Sequence, residues 1–199
     1  MTTRILDILG VGSREDSYTD LIVTAIESIP EFQKELLDVL NEPNADDWKT
    51  FVRLPVAICK PGSDRVKDIP DIVLFSKSQN RIIVIENKLF SGEGWKQTER
   101  YATAEFQSSL IDKLEANKPS FGYYYLTISG ELPASNAFKA ISYINHIEKA
   151  IPGALPDSNI GLLMQEFKER IEEFKNWPKP ESTDKIIDYL RTCNGFVSP

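Results

Sequence analysis

The chain has 199 residues, 41% hydrophobic and 27% charged, with 10 Gly and 12 Pro. That composition excludes collagen-like, low-complexity and wholly disordered chains and corresponds to one domain, 1–199, able to bury a core without staples. Lys and Arg number 23 against 30 Asp and Glu, a net charge of −7, so the whole-molecule field repels polyanions and any nucleic-acid surface has to be a local basic patch. Two cysteines, Cys59 and Cys193, exclude a disulfide framework and a four-thiolate zinc site and read as packing residues. The single histidine, His146, excludes mechanisms that need two imidazoles and reads as structural. Apolar runs such as Ile82–Ile85 reach four residues, against the roughly 20 that cross a bilayer. Asp7 interrupts the apolar stretch behind Arg4 before a signal-peptide core can form. The expected setting is the cytoplasm, with no membrane partner.

In chain order, Ser13-Arg14-Glu15-Asp16 has the form of a capping box ahead of Leu21, Ile22, Ala25, Ile26 and Ile29, which predicts a helix over 14–28. Pro30 suits the first turn of a second helix, whose stripe of Phe32, Leu36, Leu37 and Leu40 carries it to about residue 41. Residues 51–59 read as a strand, with Pro55 marking an edge or bulge, closed by the turn residues Pro61-Gly62-Ser63-Asp64. Lys49, Arg53, Lys60, Arg65 and Lys67 are interleaved with Asp64 and Asp68 and read as a mixed, solvated segment. Two β-rich runs, 71–75 and 81–88, flank the polar Ser76–Asn80, a hairpin pattern whose second strand is apolar enough to be buried on both faces. Gly92 and Gly94 precede a predicted helix over 95–106. Residues 121–129 form a strand in which Tyr123, Tyr124 and Tyr125 alternate faces and so pack as core, and 140–143 form a short further strand. Helices are predicted over 144–150, 158–176 and 181–193, the last two parted by Pro178 and Pro180. Ile160, Leu163, Met164, Phe167, Ile171 and Phe174 recur at helical spacing and turn the 158–176 helix onto the sheet as core. The fold class is mixed α/β, a small sheet flanked by helices.

Chemistry concentrates on the hairpin. In a strand Glu86 and Lys88 share a face while Asn87 points to the other. A turn symmetric about Ser78 and Gln79 sets Asp71 opposite Glu86, and directly opposed side chains have Cβ atoms about 4.5–5.5 Å apart. Carboxylates that close repel unless a cation lies between them. Mg²⁺ suits the position, since it takes one or two carboxylates and completes its shell with water and phosphate oxygens.

Pro70-Asp71, 14 intervening residues and then Glu86-Asn87-Lys88 resemble the PD-(D/E)XK nuclease superfamily, the restriction-endonuclease-like fold. The segments Arg14–Leu21, Asp71–Phe75, Ile83–Leu89, Gln97-Thr98-Glu99-Arg100-Tyr101 and Tyr125-Leu126-Thr127 resemble, in order, the blocks of a bacterial subfamily with an IENK strand followed by a Q-x-x-R-Y helix. The resemblance spans roughly residues 13–150, and the helices of 158–195 extend beyond it. It implies an α/β/α core in which Asp71 and Glu86 bind Mg²⁺, with Mn²⁺ able to substitute, and Lys88 orients or activates water or stabilises the transition state. It also implies that Glu15 faces the metal from the first helix. Gln97 is implied as a further catalytic residue, and Lys96, Arg100 and Tyr101 as contacts to the scissile phosphate or strand backbone. The implied activity is metal-dependent phosphodiester hydrolysis of nucleic acid, DNA before RNA, with a homodimer a plausible arrangement for cutting a duplex. Two alternatives stay open: a nuclease-fold binding or interaction module, which the acidic balance favours, and a hydrolase of a smaller phosphate ester, which predicts a closed pocket.

Overall fold

Short apolar runs, continuous in the central strands, assemble into two sheets. The computed structural model describes residues 5–8, 14–58, 66–89 and 91–176. Its strands are β1 (Trp48–Val52), β2 (Val56–Ile58), β3 (Val66–Asp68), β4 (Ile72–Ser76), β5 (Arg81–Lys88), β6 (Ser120–Thr127) and β7 (Lys139–Ser142). A five-stranded mixed sheet has the order β1-β4-β5-β6-β7, and β2 pairs with β3 in a separate ribbon. The β1–β4 and β4–β5 pairings are antiparallel, whereas β5–β6 and β6–β7 are parallel. The helices are α1 (Ile5–Ile8), α2 (Glu15–Ser28), α3 (Pro30–Leu40), α4 (Gln97–Tyr101), α5 (Ala104–Leu114), α6 (Glu148–Ala150) and α7 (Asn159–Lys175), with a π-helical turn at Tyr143–Ile147.

The sheet is buried on both faces. Ile72, Leu74, Ile83, Ile85, Tyr124 and Leu126 share one apolar cluster with α2, α3 and α7. Val73, Phe75, Ile82, Val84, Tyr123 and Tyr125 share the other with Val56, Ile58, Phe106 and Leu110. The three successive tyrosines therefore divide between the two cores, as strand alternation requires. Within α7, Met164, Phe167, Ile171 and Phe174 are buried against the first cluster, so this helix is core. No helix among the described residues is long and apolar enough to cross a membrane.

Several elements differ from the sequence expectation, each for a local reason. The single strand over 51–59 is two: Arg53 adopts a left-handed backbone (φ 47°), its N–H donates to the Asp71 carbonyl at 2.8 Å, and Pro55 follows without an N–H to continue the ladder. Val56–Ile58 then pairs with Val66–Asp68, a strand hidden behind turn-forming residues, and Asp68 is buried instead of solvated. The helix over 95–106 is also two. Lys96 takes a left-handed conformation (φ 46°) ahead of α4, and Thr103 opens α5 by accepting the Phe106 N–H at its hydroxyl, a cap that starts a new helix. The segment 144–150 is a π-turn followed by one short helical turn, where His146 Nδ1 accepts the Ser142 N–H at 3.1 Å. Ser13, Cys59, Lys60, Arg65, Cys193 and the helix expected over 181–193 lie outside the described residues.

Phe167 has no exposed surface and its ring centroid lies 5.6 Å from Tyr18 and 5.9 Å from Tyr143. Phe167→Ala is expected to lower stability by about 3–5 kcal/mol in urea unfolding, the usual loss for a buried aromatic; a loss below about 1 kcal/mol would take α7 out of the core.

Candidate active site

The β4–β5 register runs Ile72↔Ile85 through Ser76↔Arg81, so Asp71, one residue before β4, stands opposite Glu86. Asn80 closes the hairpin in the left-handed region (φ 44°), which asparagine tolerates. Asp71, Glu86 and Lys88 lie on the parity of Val73, Ile82 and Val84, the face of the second cluster. Glu86 is wholly buried at the end of an unbroken apolar run. Neither of its carboxylate oxygens receives an aligned hydrogen bond, although Lys88 Nζ lies 2.6 Å from Oε1. Asp71 Oδ2 accepts the Asn87 N–H at 2.8 Å.

Burial, followed by the charge of Asp71, pushes Glu86 up to about 8. Burial likewise raises Asp71, against the opposing pull of the Asn87 N–H and Lys88. For Lys88 burial alone would favour the neutral amine, but the carboxylates of Glu86, Asp71 and Glu15 outweigh it and hold the amine above its usual range. Lys88 is thus held as an ammonium and not as a free amine.

Glu15 reaches this group from the first turn of α2. Its Oε1 is 3.4 Å from Lys88 Nζ, and its Oε2 accepts the Leu89 N–H at 2.8 Å and the Ser91 hydroxyl at 2.9 Å. Its carboxylate therefore fixes the chain leaving β5 as well as the lysine. Asn87 points the other way. Its Nδ2 donates to Thr19 Oγ1 at 2.9 Å, and its Oδ1 accepts the Tyr143 hydroxyl at 2.8 Å. All three residues are buried, so Thr19 packs and ties β5 to α2 instead of lining the carboxylate face.

Gln97 and Tyr101 meet on α4: Gln97 Nε2 donates to the Tyr101 hydroxyl at 3.0 Å. Tyr101 is 1% exposed, with its ring stacked on Phe106. Burial, then the charges of Glu86, Asp68 and Asp71, keep its hydroxyl protonated. Arg100, expected on phosphate, directs its Nε to Asp68 Oδ1 at 3.0 Å, and Asp68 is buried. Lys96 is exposed on the outside, 3.4 Å from Glu99. Arg53 is held by Asp20 and lies 3.6 Å from Asp16. Sequence reasoning missed Asp68 and also Glu93, whose Oε1 accepts both the N–H and the hydroxyl of Thr98 and whose Oε2 accepts the Ala134 N–H. An acid between Gly92 and Gly94 just before a helix start was the signal for Glu93.

The donor set fits a hard divalent cation. Glu86 supplies two buried oxygens without an aligned hydrogen bond, one of them against Lys88, and Asp71 a third acid oxygen opposite them. With Glu15, three carboxylates face one ammonium, an excess of two negative charges when all are ionised. Among the described residues no three His, Cys, Asp or Glu side chains converge closely enough to wrap a metal by themselves. A cation on Asp71 and Glu86 would draw its remaining ligands from water or substrate, the usual habit of Mg²⁺. No family model, curated protein or solved structure matches the chain.

The raised pKa of Glu86 makes the metal-free protein pH-sensitive. Folding holds this proton more tightly than the unfolded chain, where a glutamate titrates near ~4.3, so the associated stability is lost as pH rises through about 8. Lys88 shifts upward from its usual range and adds no slope below it. In chelator the melting temperature should fall between about pH 5 and 8 and level off above that, and Glu86→Gln should flatten that fall. An unchanged slope in the variant would place the titration elsewhere.

Proposed function

We propose that the protein is a metal-dependent phosphodiesterase that hydrolyses nucleic acid with Mg²⁺ or Mn²⁺ bound to Asp71 and Glu86. The observation that carries this reading is the buried, opposed pair Asp71 and Glu86, with neither Glu86 oxygen in an aligned hydrogen bond and an ammonium, Lys88, 2.6 Å from one of them. The order β1-β4-β5-β6-β7, with the acids at the end of an antiparallel pair and a parallel strand beside it, supports a restriction-endonuclease-like core.

A divalent cation at this position supplies Lewis acidity toward a phosphate oxygen and lowers the pKa of water. The remaining work belongs to the chain. Asp71 and Glu86 would hold the cation, on the strand face they share with Lys88. Lys88 donates toward the phosphate oxygen on which negative charge grows as water attacks phosphorus, in a buried setting where such a donor counts for more than it does in water. Glu15 restrains the Lys88 amine and the Leu89 amide, so the donor is in place before substrate arrives. Gln97 orients the hydroxyl of the buried Tyr101, which feels the Glu86 charge.

The acidic balance and the ion-paired arginines Arg53 and Arg100 favour a second reading, an interaction module on the same fold. Calorimetry with Mg²⁺ or Mn²⁺, run beside hydrolysis of single- and double-stranded DNA and RNA, separates the two. The phosphodiesterase reading expects metal binding that weakens at least tenfold in Asp71→Asn and Glu86→Gln. It also expects hydrolysis that falls by about 10²-fold or more in Lys88→Ala with metal binding retained, the usual scale for losing one charge-stabilising donor. Metal binding that ignores both carboxylates, with no hydrolysis of any substrate, would move the assignment to the interaction module.

A further inference from the structure

Six large apolar side chains are exposed among the described residues: Ile5, Val52, Ile69, Trp95, Leu132 and Leu162. Ile5 and Leu162 belong to α1 and α7, but the other four lie on segments at the carboxylate end of the sheet. Val52 pairs with Ile72, Ile69 is two residues before Asp71, Trp95 leads into α4 and Leu132 follows β6. Trp95 carries the largest of these side chains and is 76% exposed.

Its backbone is held from two sides. The Trp95 carbonyl accepts Arg100 Nη1, and Arg100 is anchored through Nε to the buried Asp68. Two residues earlier, Glu93 binds Thr98 on α4 and Ala134 on the loop that carries Leu132. An indole displayed on so constrained a segment, which follows the strand that carries Glu86 and Lys88, is a preorganised apolar plate open to a ligand. Lys96 Nζ lies 5.8 Å from the indole centroid, in the same exposed segment, and is itself 3.4 Å from Glu99.

Charge decides which ligand fits. Tracking a duplex takes a row of free cations, yet at this end Arg53, Arg100 and Lys88 are engaged with Asp20, Asp68 and Glu86, and the chain carries −7 overall. A duplex also hides the faces of its bases, whereas an unpaired base offers a π-face to an aromatic ring whatever its sequence. We propose that Trp95 is a stacking plate for an unpaired nucleobase next to the carboxylate site, so that single-stranded or locally unpaired nucleic acid is the substrate class. This rests on the phosphodiesterase reading for the identity of the site, but binding to the plate can be measured without hydrolysis.

The test uses the full chain in chelator with a fluorescein-labelled 12-nucleotide single strand, the matching duplex, and a single strand with abasic positions. Wild type should bind the single strand more tightly than the duplex, with a shallow salt dependence and quenching of tryptophan emission. Trp95→Ala should weaken that binding by roughly tenfold or more, the scale of one lost base–aromatic stack. Trp95→Phe should keep most of the affinity while removing the quench, and the abasic strand should mimic Trp95→Ala. With Mg²⁺ added, Trp95-dependent binding without hydrolysis would defeat the nuclease reading alone. Hydrolysis undiminished in Trp95→Ala would defeat the stacking plate alone. Preference for the duplex, no binding, or a blue shift of Trp95 emission that tracks protein concentration and so reports a second copy of the chain would each overturn the proposal.

Discussion

Two acid side chains facing each other across buried antiparallel strands repel, and the neighbouring structure is organised around that repulsion. The β4–β5 register fixes it: a slip of one residue would turn the apolar set of β5 to the opposite face and carry Glu86 away from Asp71. Six buried residues in succession, Ile82 to Asn87, make such a slip costly. Other buried acids have firm partners. Glu42 meets Arg81 and the Tyr124 hydroxyl and Asp68 meets Arg100; the half-buried Glu93 likewise takes two amides and a hydroxyl. Among the described buried carboxylates, Glu86 alone has neither oxygen in an aligned hydrogen bond. A buried acid in that condition costs stability unless it is protonated or meets a cation, and this is the physical content of the proposed metal site.

The two faces of β5 divide the labour. On one, Glu86 and Lys88 hold the charges; on the other, Asn87 joins Thr19 and Tyr143 in a buried hydrogen-bonded chain. That second chain docks α2 against the strand and so brings Glu15, one helical turn before Thr19, to Lys88 and the Leu89 amide. Removing one member of such a fully satisfied network leaves another buried polar group without its partner. The π-turn at Tyr143–Ile147 fits this arrangement, since it begins with the tyrosine whose hydroxyl reaches Asn87.

Much of this was legible in the residues because it depended on short-range rules. The symmetric Ser76–Asn80 turn gave the register that opposes Asp71 to Glu86, strand alternation separated Glu86 and Lys88 from Asn87 and split the three tyrosines, and helical spacing turned α7 inward. Long-range pairings were not legible. The Asp68–Arg100 pair joins residues 32 apart in sequence through a strand, β3, that lay hidden behind turn-forming residues, so Asp68 read as solvated and Arg100 as free for phosphate. The breaks at Arg53 and Thr103 come from a left-handed backbone and a hydroxyl cap, single-residue choices that override an otherwise continuous apolar pattern. The rise of Lys88 above its usual range was also beyond sequence reasoning, because it is the net of burial against three carboxylates whose distances only the fold provides.

Diffraction from crystals soaked in Mn²⁺, with data collected where manganese scatters anomalously, tests the central claim most directly. The account predicts one anomalous peak within about 2.0–2.4 Å of an Asp71 oxygen and a Glu86 oxygen, close to the short distances of hard divalent cations to carboxylates, with Lys88 Nζ displaced from Glu86 Oε1. Saturating Mn²⁺ with no peak between the two carboxylates, and Lys88 still against Glu86, would contradict it: the pair would then be a buried ion cluster that serves the fold alone.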